Sequence, residues 1–157
     1  MKRYAVIGLT VALSLGAAGA YAMGTNNPPP STSTTKPSEP TLSDAERAVK
    51  AQDYKGAIAL LDQIVAKDPG NVDALNYLGY SNRQIGELQK SMGYYQKALA
   101  INANHRGANE YLGQLYLKMG DIKGAEAQLV KLQKICGTGC EEHDSLKNAI
   151  AQAKKRT

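Results

Sequence analysis

The residues best suited to chemistry are two cysteines and a histidine that lie close together near the C-terminal end, Cys136, Cys140 and His143. In an exported chain an even pair of cysteines favours a disulfide, and Gly137 and Gly139 allow the short loop to close. Closing such a loop stabilises a fold by roughly 2 kcal/mol in the chain-entropy model. The C-x3-C-x2-H spacing also offers three ligands to a soft metal ion, whereas a closed zinc site requires four. The pattern leaves open a structural disulfide, free thiols, and a redox or metal-handling role.

Outside this segment the sequence contains no pattern typical of an enzyme. His105 is the other histidine, and its place after Asn104 at the start of a predicted helix indicates a capping residue rather than a general base. A nucleophile triad, a glycine-rich phosphate loop and an H-E-x-x-H metal motif are all absent from the sequence. The sequence therefore predicts a protein that acts without catalysis and without a cofactor.

The elements that must position these residues repeat with a period of 34 residues. Moving forward by 34 converts the segment YLG at 77–79 into YLG at 111–113, and Gly86 into Gly120. A fixed period of this size indicates stacked supersecondary units. Apolar residues at spacings of three and four predict two helices per unit, and no segment has the pattern of a strand. The predicted helices span residues 43–52, 54–67, 72–84, 87–101, 105–119 and 121–135, with a seventh over 141–154 outside the repeat.

Local signals predict how several of these helices begin and pack. Ser43 followed by Glu46, and Thr138 followed by Glu141, have the spacing of a capping box. Gly79 lies in mid-helix, where glycine costs about 1 kcal/mol relative to alanine, so we expect a neighbouring helix to approach closely there. The seventh helix carries an apolar stripe and is expected to cap the stack. The stripe consists of Leu146, Ala149, Ile150 and Ala153.

Two of the units resemble the tetratricopeptide repeat in their residues as well as in their length. The segments LNYLG at 75–79 and YQKA at 95–98 match the family pattern, as do LGQLY at 112–116 and AEAQL at 125–129. The resemblance implies an all-α fold, an α-α superhelix of three helix pairs with a C-terminal capping helix. It also implies a protein-binding module. The implied divisions are three repeats within 41–139 (about 38–71, 72–105 and 106–139) and a capping helix with a basic tail over 140–157.

In this family the first helix of each pair lines a concave groove, so the resemblance also implies which residues bind a partner. Tyr80 is expected to be exposed beside arginine and amides, a composition that interfaces favour. Relatives that bind a C-terminal carboxylate use Lys and Asn on these helices. Here Glu46 and Glu110 stand among the lining residues, which makes an anionic tail a poor candidate. Most other tyrosines are interpreted as packing residues. The implied groove consists of Glu46, Lys50, Asn76, Tyr80, Arg83, Glu110, Gln114 and Leu117.

The N-terminal 40 residues are predicted to lie outside the repeats. Residues 1–22 have a basic start, an uncharged apolar run and the small residues Ala20 and Ala22, as in a signal peptide that is cleaved after Ala22. Residues 23–40 are rich in Pro, Ser and Thr and poor in apolar residues, which is typical of a disordered linker. We therefore expect a periplasmic or secreted protein without stable membrane insertion after cleavage.

The charge of the chain does not favour a nucleic-acid partner. Of 19 basic residues, removal of Lys2 and Arg3 leaves 17 against 14 acidic residues, a net charge of +3. Lys154, Lys155 and Arg156 account for that excess, and a basic helix end is typical of a solvated terminus. The expected protein is a monomeric adaptor or scaffold that binds a protein or peptide, and the alternative is the redox or metal-handling role of the cysteine segment.

Overall fold

The computed structural model describes residues 39–156. The predicted signal peptide and nearly all of the predicted linker lie outside the described residues. Within residues 39–156 seven α-helices follow one another and no strand occurs, as the sequence predicts. None of these seven helices is both long enough and apolar enough to cross a membrane. The helices are α1 (Leu42–Lys50), α2 (Tyr54–Lys67), α3 (Val72–Gln84), α4 (Leu88–Ile101), α5 (Arg106–Lys118), α6 (Ile122–Cys136) and α7 (Glu141–Lys154).

The start of α1 differs from the sequence prediction. The predicted cap at Ser43 is wrong, because Thr41 is the N-cap residue. The Thr41 hydroxyl accepts a hydrogen bond from the Asp44 N–H at 3.2 Å, and the Asp44 carboxylate accepts one from the Thr41 N–H at 3.0 Å. This reciprocal exchange is a capping box that lies two residues earlier than predicted, so α1 begins at Leu42.

The end of α1 is set by the backbone of Gln52. This residue has a φ of 60°, and the equivalent residues of the next two repeats, Gly86 and Gly120, have φ of 88° and 83°. Each repeat thus leaves its first helix through a left-handed residue, a conformation that glycine adopts without steric cost and glutamine does not. The helix predicted to reach Gln52 therefore ends at Lys50, and α1 is shorter than α3 or α5.

Consecutive helices pack as antiparallel hairpins, and the odd-numbered helices make a second set of contacts. Each helix packs on the next, and α1, α3 and α5 each contact the following odd-numbered helix. Within residues 39–156 the backbones of the even-numbered helices do not approach one another closely, although side chains of α2 and α4, such as Asp62 and Tyr94, do meet. The odd-numbered helices therefore lie on the inner side of the curved stack and the even-numbered helices on the outer side. This arrangement is the predicted α-α superhelix.

Two mid-helix glycines allow close packing, but against different partners. A Cβ on Gly79 would lie 2.5 Å from Cε1 of Tyr95, a fully buried ring on α4. The predicted close approach at Gly79 is therefore confirmed. A Cβ on Gly113 would lie 2.5 Å from Cδ2 of Leu146 on α7. In the second repeat, the space beside the mid-helix glycine is filled by Tyr95 from the second helix of the same repeat. In the third repeat, the corresponding space is filled by Leu146 from the capping helix.

The capping helix α7 covers the end of the last helix pair. Leu146 and Ile150 are buried and pack with Ala125 and Leu132 of α6. The capping box predicted at Thr138 is wrong, because the N-cap residue is the following cysteine and no side chain within the described residues caps this helix. Three acidic residues in the first turn complement the helix dipole instead.

Candidate partner-binding groove

The inner surface formed by α3, α5 and α7 contains most of the predicted groove residues, and two cavities open on it. We call the cavity of about 280 Å³ beside the C-terminal halves of the three helices the C-terminal cavity. The cavity of about 450 Å³ beside their N-terminal ends is the N-terminal cavity. The C-terminal cavity brings together three predicted residues, Arg83, Gln114 and Leu117, with five others. Its polar and apolar lining includes Arg83, Gln114, Leu117, Lys118, Gln152 and Arg156.

Tyr80 and Arg83 belong to an aromatic cluster beside the C-terminal cavity. The ring centroid of Tyr80 lies 5.1 Å from that of Tyr111 and 6.1 Å from that of Tyr54. The guanidinium carbon of Arg83 lies 5.3 Å from the Tyr80 centroid and 5.9 Å from the Tyr111 centroid, within cation–π range. The expectation that Tyr80 is exposed and not needed for packing is wrong, because its ring is half-buried and joins α2, α3 and α5.

The Arg83 guanidinium retains an unused hydrogen-bond donor. Its Nε is buried and has no acceptor among residues 39–156. Within the same residues no carboxylate forms an ion pair with Arg83. The Arg83 carbonyl accepts a hydrogen bond from Lys118 Nζ at 2.8 Å, which holds a second cation beside the first. Burial raises the pKa of the Tyr95 hydroxyl, and the nearby Arg83 side chain opposes that rise. Arg83 also lines the C-terminal cavity, where it has no carboxylate partner among the described residues.

Asn76 lines the N-terminal cavity, although it is only 6% exposed. Its Nδ2 lies 3.3 Å from the position that a Cβ on Gly107 of α5 would occupy. Its Oδ1 is buried and has no donor among the described residues. The place of Asn76 agrees with the predicted groove, and its burial shows that the side chain also packs between α3 and α5.

Glu110 lies in an acidic cleft at the same end of the surface. Its Oε1 accepts a hydrogen bond from Ser145 Oγ of α7 at 2.5 Å. Burial raises the pKa of the Glu110 carboxyl, the Ser145 hydrogen bond opposes that rise, and the charge of Glu142 adds to it. Glu141 and Glu142 line the same cleft. The N-terminal side of the groove is therefore acidic, in contrast to the C-terminal cavity.

The two predicted residues of the first repeat lie away from both cavities. On α1, Glu46 lies beside Tyr77, and burial together with the negative charge of Glu46 raises the pKa of Tyr77 to about 12. Lys50 is exposed at the C-terminal end of the same helix. Neither residue lines either cavity, so the first repeat contributes to the surface mainly through Tyr54.

The cysteine segment forms a separate site between α6 and α7. The structure joins Cys136 and Cys140 through a disulfide, with Cα atoms 6.1 Å apart. The two sulfur atoms and a carboxylate oxygen of Glu142 lie within 4.8 Å of one another. His143 is not part of this group: it is 4% exposed and its Nδ1 lies 3.1 Å from Asp144 Oδ1. The predicted third ligand is wrong, because successive residues of a helix point in different directions and α7 directs the residue after Glu142 into the core.

His105 caps α5, as the sequence indicates. Its Nδ1 accepts a hydrogen bond from the Ala108 N–H at 3.0 Å, and its Nε2 lies 2.9 Å from Asp73 Oδ1 on α3. Both ring nitrogens are therefore engaged, and the side chain connects two repeats instead of acting as a base.

Comparison with known proteins agrees with this architecture. Residues 43–106 match the family model described as tetratricopeptide repeat. The TPR domain of Sgt2 from Aspergillus fumigatus has the same fold, with 24% identity, a TM-score of 0.65, and coverage of 73% of this chain and 74% of that one. Residues 43–106 of this chain are tetratricopeptide repeats (TPR).

Two further relatives show the range of proteins that this chain resembles. The Yersinia enterocolitica type III secretion chaperone SycD, solved with a peptide of the translocator YopD, is 14% identical with a TM-score of 0.64, covering 73% of this chain and 89% of that one. The mouse FK506-binding protein-like is 30% identical over 57 residues, which are 36% of this chain and 16% of that protein. The chain thus matches about a sixth of the length of such relatives.

Several residues of the groove were not predicted. Tyr111 orients Arg83, and its sequence signal is its position 34 residues after Tyr77. The sequence signal for Lys118 is its place directly after Leu117, at the end of the first helix of the third helix pair. Gln152 and Arg156 have no such signal, because α7 lies outside the repeat and only packing determines which of its residues face α5.

Proposed function

We propose that this protein is a non-enzymatic adaptor or scaffold that binds a protein or peptide on the surface formed by α3, α5 and α7. The observation that carries the proposal is the Arg83 guanidinium, which lines the C-terminal cavity and has no carboxylate partner among the described residues. It also lies against the half-buried rings of Tyr80 and Tyr111. Arginine and tyrosine are enriched among the residues that contribute most to binding at protein interfaces. The cavity opens at Arg83, so a partner side chain can reach this residue.

The fold supports binding as the mode of action. An open stack of helix pairs presents an extended surface along which a polypeptide can lie. SycD, whose fold this chain shares, was solved with a bound peptide. The two histidines of this chain are engaged as a cap and in the core, and neither lies beside a nucleophile. We therefore assign scaffolding or partner presentation, with no chemical step.

We further propose that the protein acts after export, as a monomer in the periplasm or outside the cell. The signal-peptide pattern of residues 1–22 supports this location. In an oxidising compartment the Cys136–Cys140 disulfide is expected to persist as a structural staple. Mass spectrometry of protein from the native cell should give a chain that begins at Met23 and lacks two hydrogen atoms at the cysteines. A chain that retains Met1, or two free thiols after denaturation, would contradict this proposal.

Site-specific photo-crosslinking tests the groove directly. A photoreactive residue in place of Gln114, which lines the C-terminal cavity, should crosslink the same partner reproducibly in intact cells. The matched control is Lys123, which is exposed on α6 on the outer side of the stack. Arg83→Gln should weaken the Gln114 crosslink while leaving the unfolding temperature near that of the wild type. Equal crosslinking from both positions, or none from Gln114, would contradict binding in the groove.

A second candidate function rests on the sulfur and carboxylate group between α6 and α7. If the disulfide is reduced, Cys136, Cys140 and Glu142 offer three ligands within 4.8 Å of one another. The group suits a thiophilic ion with one further ligand. Elemental analysis of protein purified without chelator should find stoichiometric metal if this function is correct. If Cys136→Ser lowers only the stability and the wild type holds no metal, the metal-binding function is excluded.

A further inference from the structure

The C-terminal cavity has a charge that the rest of the groove does not share. Its charged lining residues are all basic, namely Arg83, Lys118 and Arg156, and no acidic residue of the described chain lines it. Gln114 and Gln152 add two amides that can donate hydrogen bonds. The cavity is therefore surrounded by donors and positive charge, which is the environment that an anion requires.

Arg83 is held in place before any ligand arrives. Its guanidinium carbon lies within cation–π range of both the Tyr80 ring on its own helix and the Tyr111 ring on α5. Side chains fixed in this way lose little conformational freedom on binding. A planar guanidinium matches the geometry of a carboxylate, which accepts two parallel hydrogen bonds.

The acidic residues of the groove lie at its other end. Glu110 begins the second turn of α5 and Lys118 ends the helix, so their backbones are separated by about 12 Å along the axis. Glu141 and Glu142 lie at the start of α7, and Arg156 lies beyond its end. This separation exceeds the screening length of about 8 Å at physiological ionic strength, which weakens the interaction between the two ends. Burial raises the pKa of Glu110, and the Arg83 charge is among the influences that oppose that rise. No acidic residue of the described chain lines the cavity, so its lining stays basic.

We propose that the C-terminal cavity binds a carboxylate side chain from an acidic segment of the partner polypeptide. This inference rests on the proposed function of the groove and adds the chemistry of the ligand. The carboxylate pairs with Arg83, and Lys118 and Arg156 supply the surrounding positive charge. The apolar lining residues Leu117, Ala149 and Ala153 accept an apolar side chain next to the acidic one. The sequence argued against an anionic ligand because Glu110 and Glu46 stand among the predicted residues, and the structure places both away from this cavity.

The test uses two acetylated, amidated hexapeptides that differ only in charge. The acidic probe is Leu-Glu-Leu-Glu-Glu-Leu, and the neutral control replaces each Glu with Gln. Titration of the isotope-labelled protein, followed by NMR, should show saturable chemical-shift changes at Arg83, Lys118 and Gln152. The expected Kd is about 1 mM, the weak affinity of a single anchoring contact. The neutral peptide should bind at least about tenfold more weakly, as expected for the loss of charge-assisted hydrogen bonds.

Three variants separate the cavity from general charge attraction. Arg83→Gln and Arg156→Gln should each weaken binding of the acidic peptide, the first by about tenfold and the second by severalfold. Lys123→Gln makes the same change in net charge on α6 and should leave the affinity unchanged. Arg156 is exposed beyond the end of α7, so its variant does not depend on preserving the core. Circular dichroism before titration identifies any unfolding caused by Arg83→Gln.

Several results would overturn the assignment. One is equal affinity for the two peptides. Another is the absence of shifts at about 10 mM acidic peptide, a concentration well above the expected Kd. A third is a loss of affinity in the Lys123 variant that equals the loss in the Arg83 variant. Inorganic phosphate that competes at the same concentration as the peptide would show a general anion site and also contradict it. Failure of the proposed function gives a different result, the loss of the cellular crosslink at Gln114 in the wild type. A crosslink that persists in Arg83→Gln and Arg156→Gln would refute the carboxylate site and leave the groove function standing.

Discussion

Replacement of Gly79 by alanine tests the close contact between the two helices of the second repeat, α3 and α4. A methyl group at this position would lie 2.5, 2.6 and 2.9 Å from three ring carbons of Tyr95. Carbon atoms in proteins normally approach to about 3.5–4.0 Å, so the ring must retreat by about 1 Å. Tyr95 is fully buried against Leu112 and Leu115 of α5, so the ring cannot move without displacing the next repeat.

The expected loss of stability follows from two opposing effects. Overpacking of a buried site costs about 1–3 kcal/mol, and the upper end applies here because a rigid ring and a second helix must shift. Alanine regains about 1 kcal/mol of helix propensity relative to glycine. The net change in the free energy of unfolding is therefore about 2 kcal/mol of destabilisation, which lowers Tm by about 8 °C for a domain of this size.

Urea denaturation followed by circular dichroism measures this change, and Gly93→Ala is the matched control. Gly93 also lies inside a helix, but no atom lies within 4 Å of the position that its Cβ would occupy. The control should gain up to about 1 kcal/mol from helix propensity alone. Tyr95→Leu, which introduces the residue found 34 positions later at Leu129, should relieve most of the effect of Gly79→Ala in a double-mutant cycle. If Gly79→Ala stabilises the protein as much as Gly93→Ala does, the reasoning is refuted.

Three other predictions follow from the geometry of single residues. Gln52→Gly should stabilise the protein by about 0.5–1 kcal/mol, because it relieves a left-handed glutamine at the expense of a more flexible unfolded chain; an unchanged urea midpoint would contradict it. Thr41→Ala should cost about 1 kcal/mol and Ser43→Ala much less; equal losses in thermal unfolding would restore Ser43 as the cap. Burial raises the folded-state pKa of Glu110, so its contribution favours folding below the unfolded pKa and is lost as the pH rises through the folded pKa. Glu110→Gln should therefore flatten the fall in stability between about pH 4, near the ordinary glutamate pKa, and about pH 7; an unchanged slope would show that the carboxyl is not buried.

The groove assignment shows how far a repeat pattern can be used to predict a binding site. The 34-residue period placed Arg83, Gln114 and Leu117 on equivalent turns of the first helices, and the structure brings these three residues to one cavity. The same pattern did not reveal that Tyr80 is half-buried, because burial depends on Tyr54 from the preceding pair and Tyr111 from the following one. Equivalence in sequence therefore predicts the side of a helix that a residue occupies, and the neighbouring helices decide how much of it is left exposed.

The helices and their order can be predicted from the amino-acid sequence, because the signals for these are local. Apolar spacing fixes the buried face of each helix, and glycines at fixed offsets mark the helix ends. Tertiary structure alone decided which charges share a cavity and which groups meet between α6 and α7. Arg83 and Lys118 lie on two different helices and Arg156 follows a third, and the tilt of α7 against α5 depends on Leu146 packing over Gly113. Likewise Glu142, and not His143, lies beside the cysteines, since a rotation of about 100° between successive helical residues decides which one faces the loop.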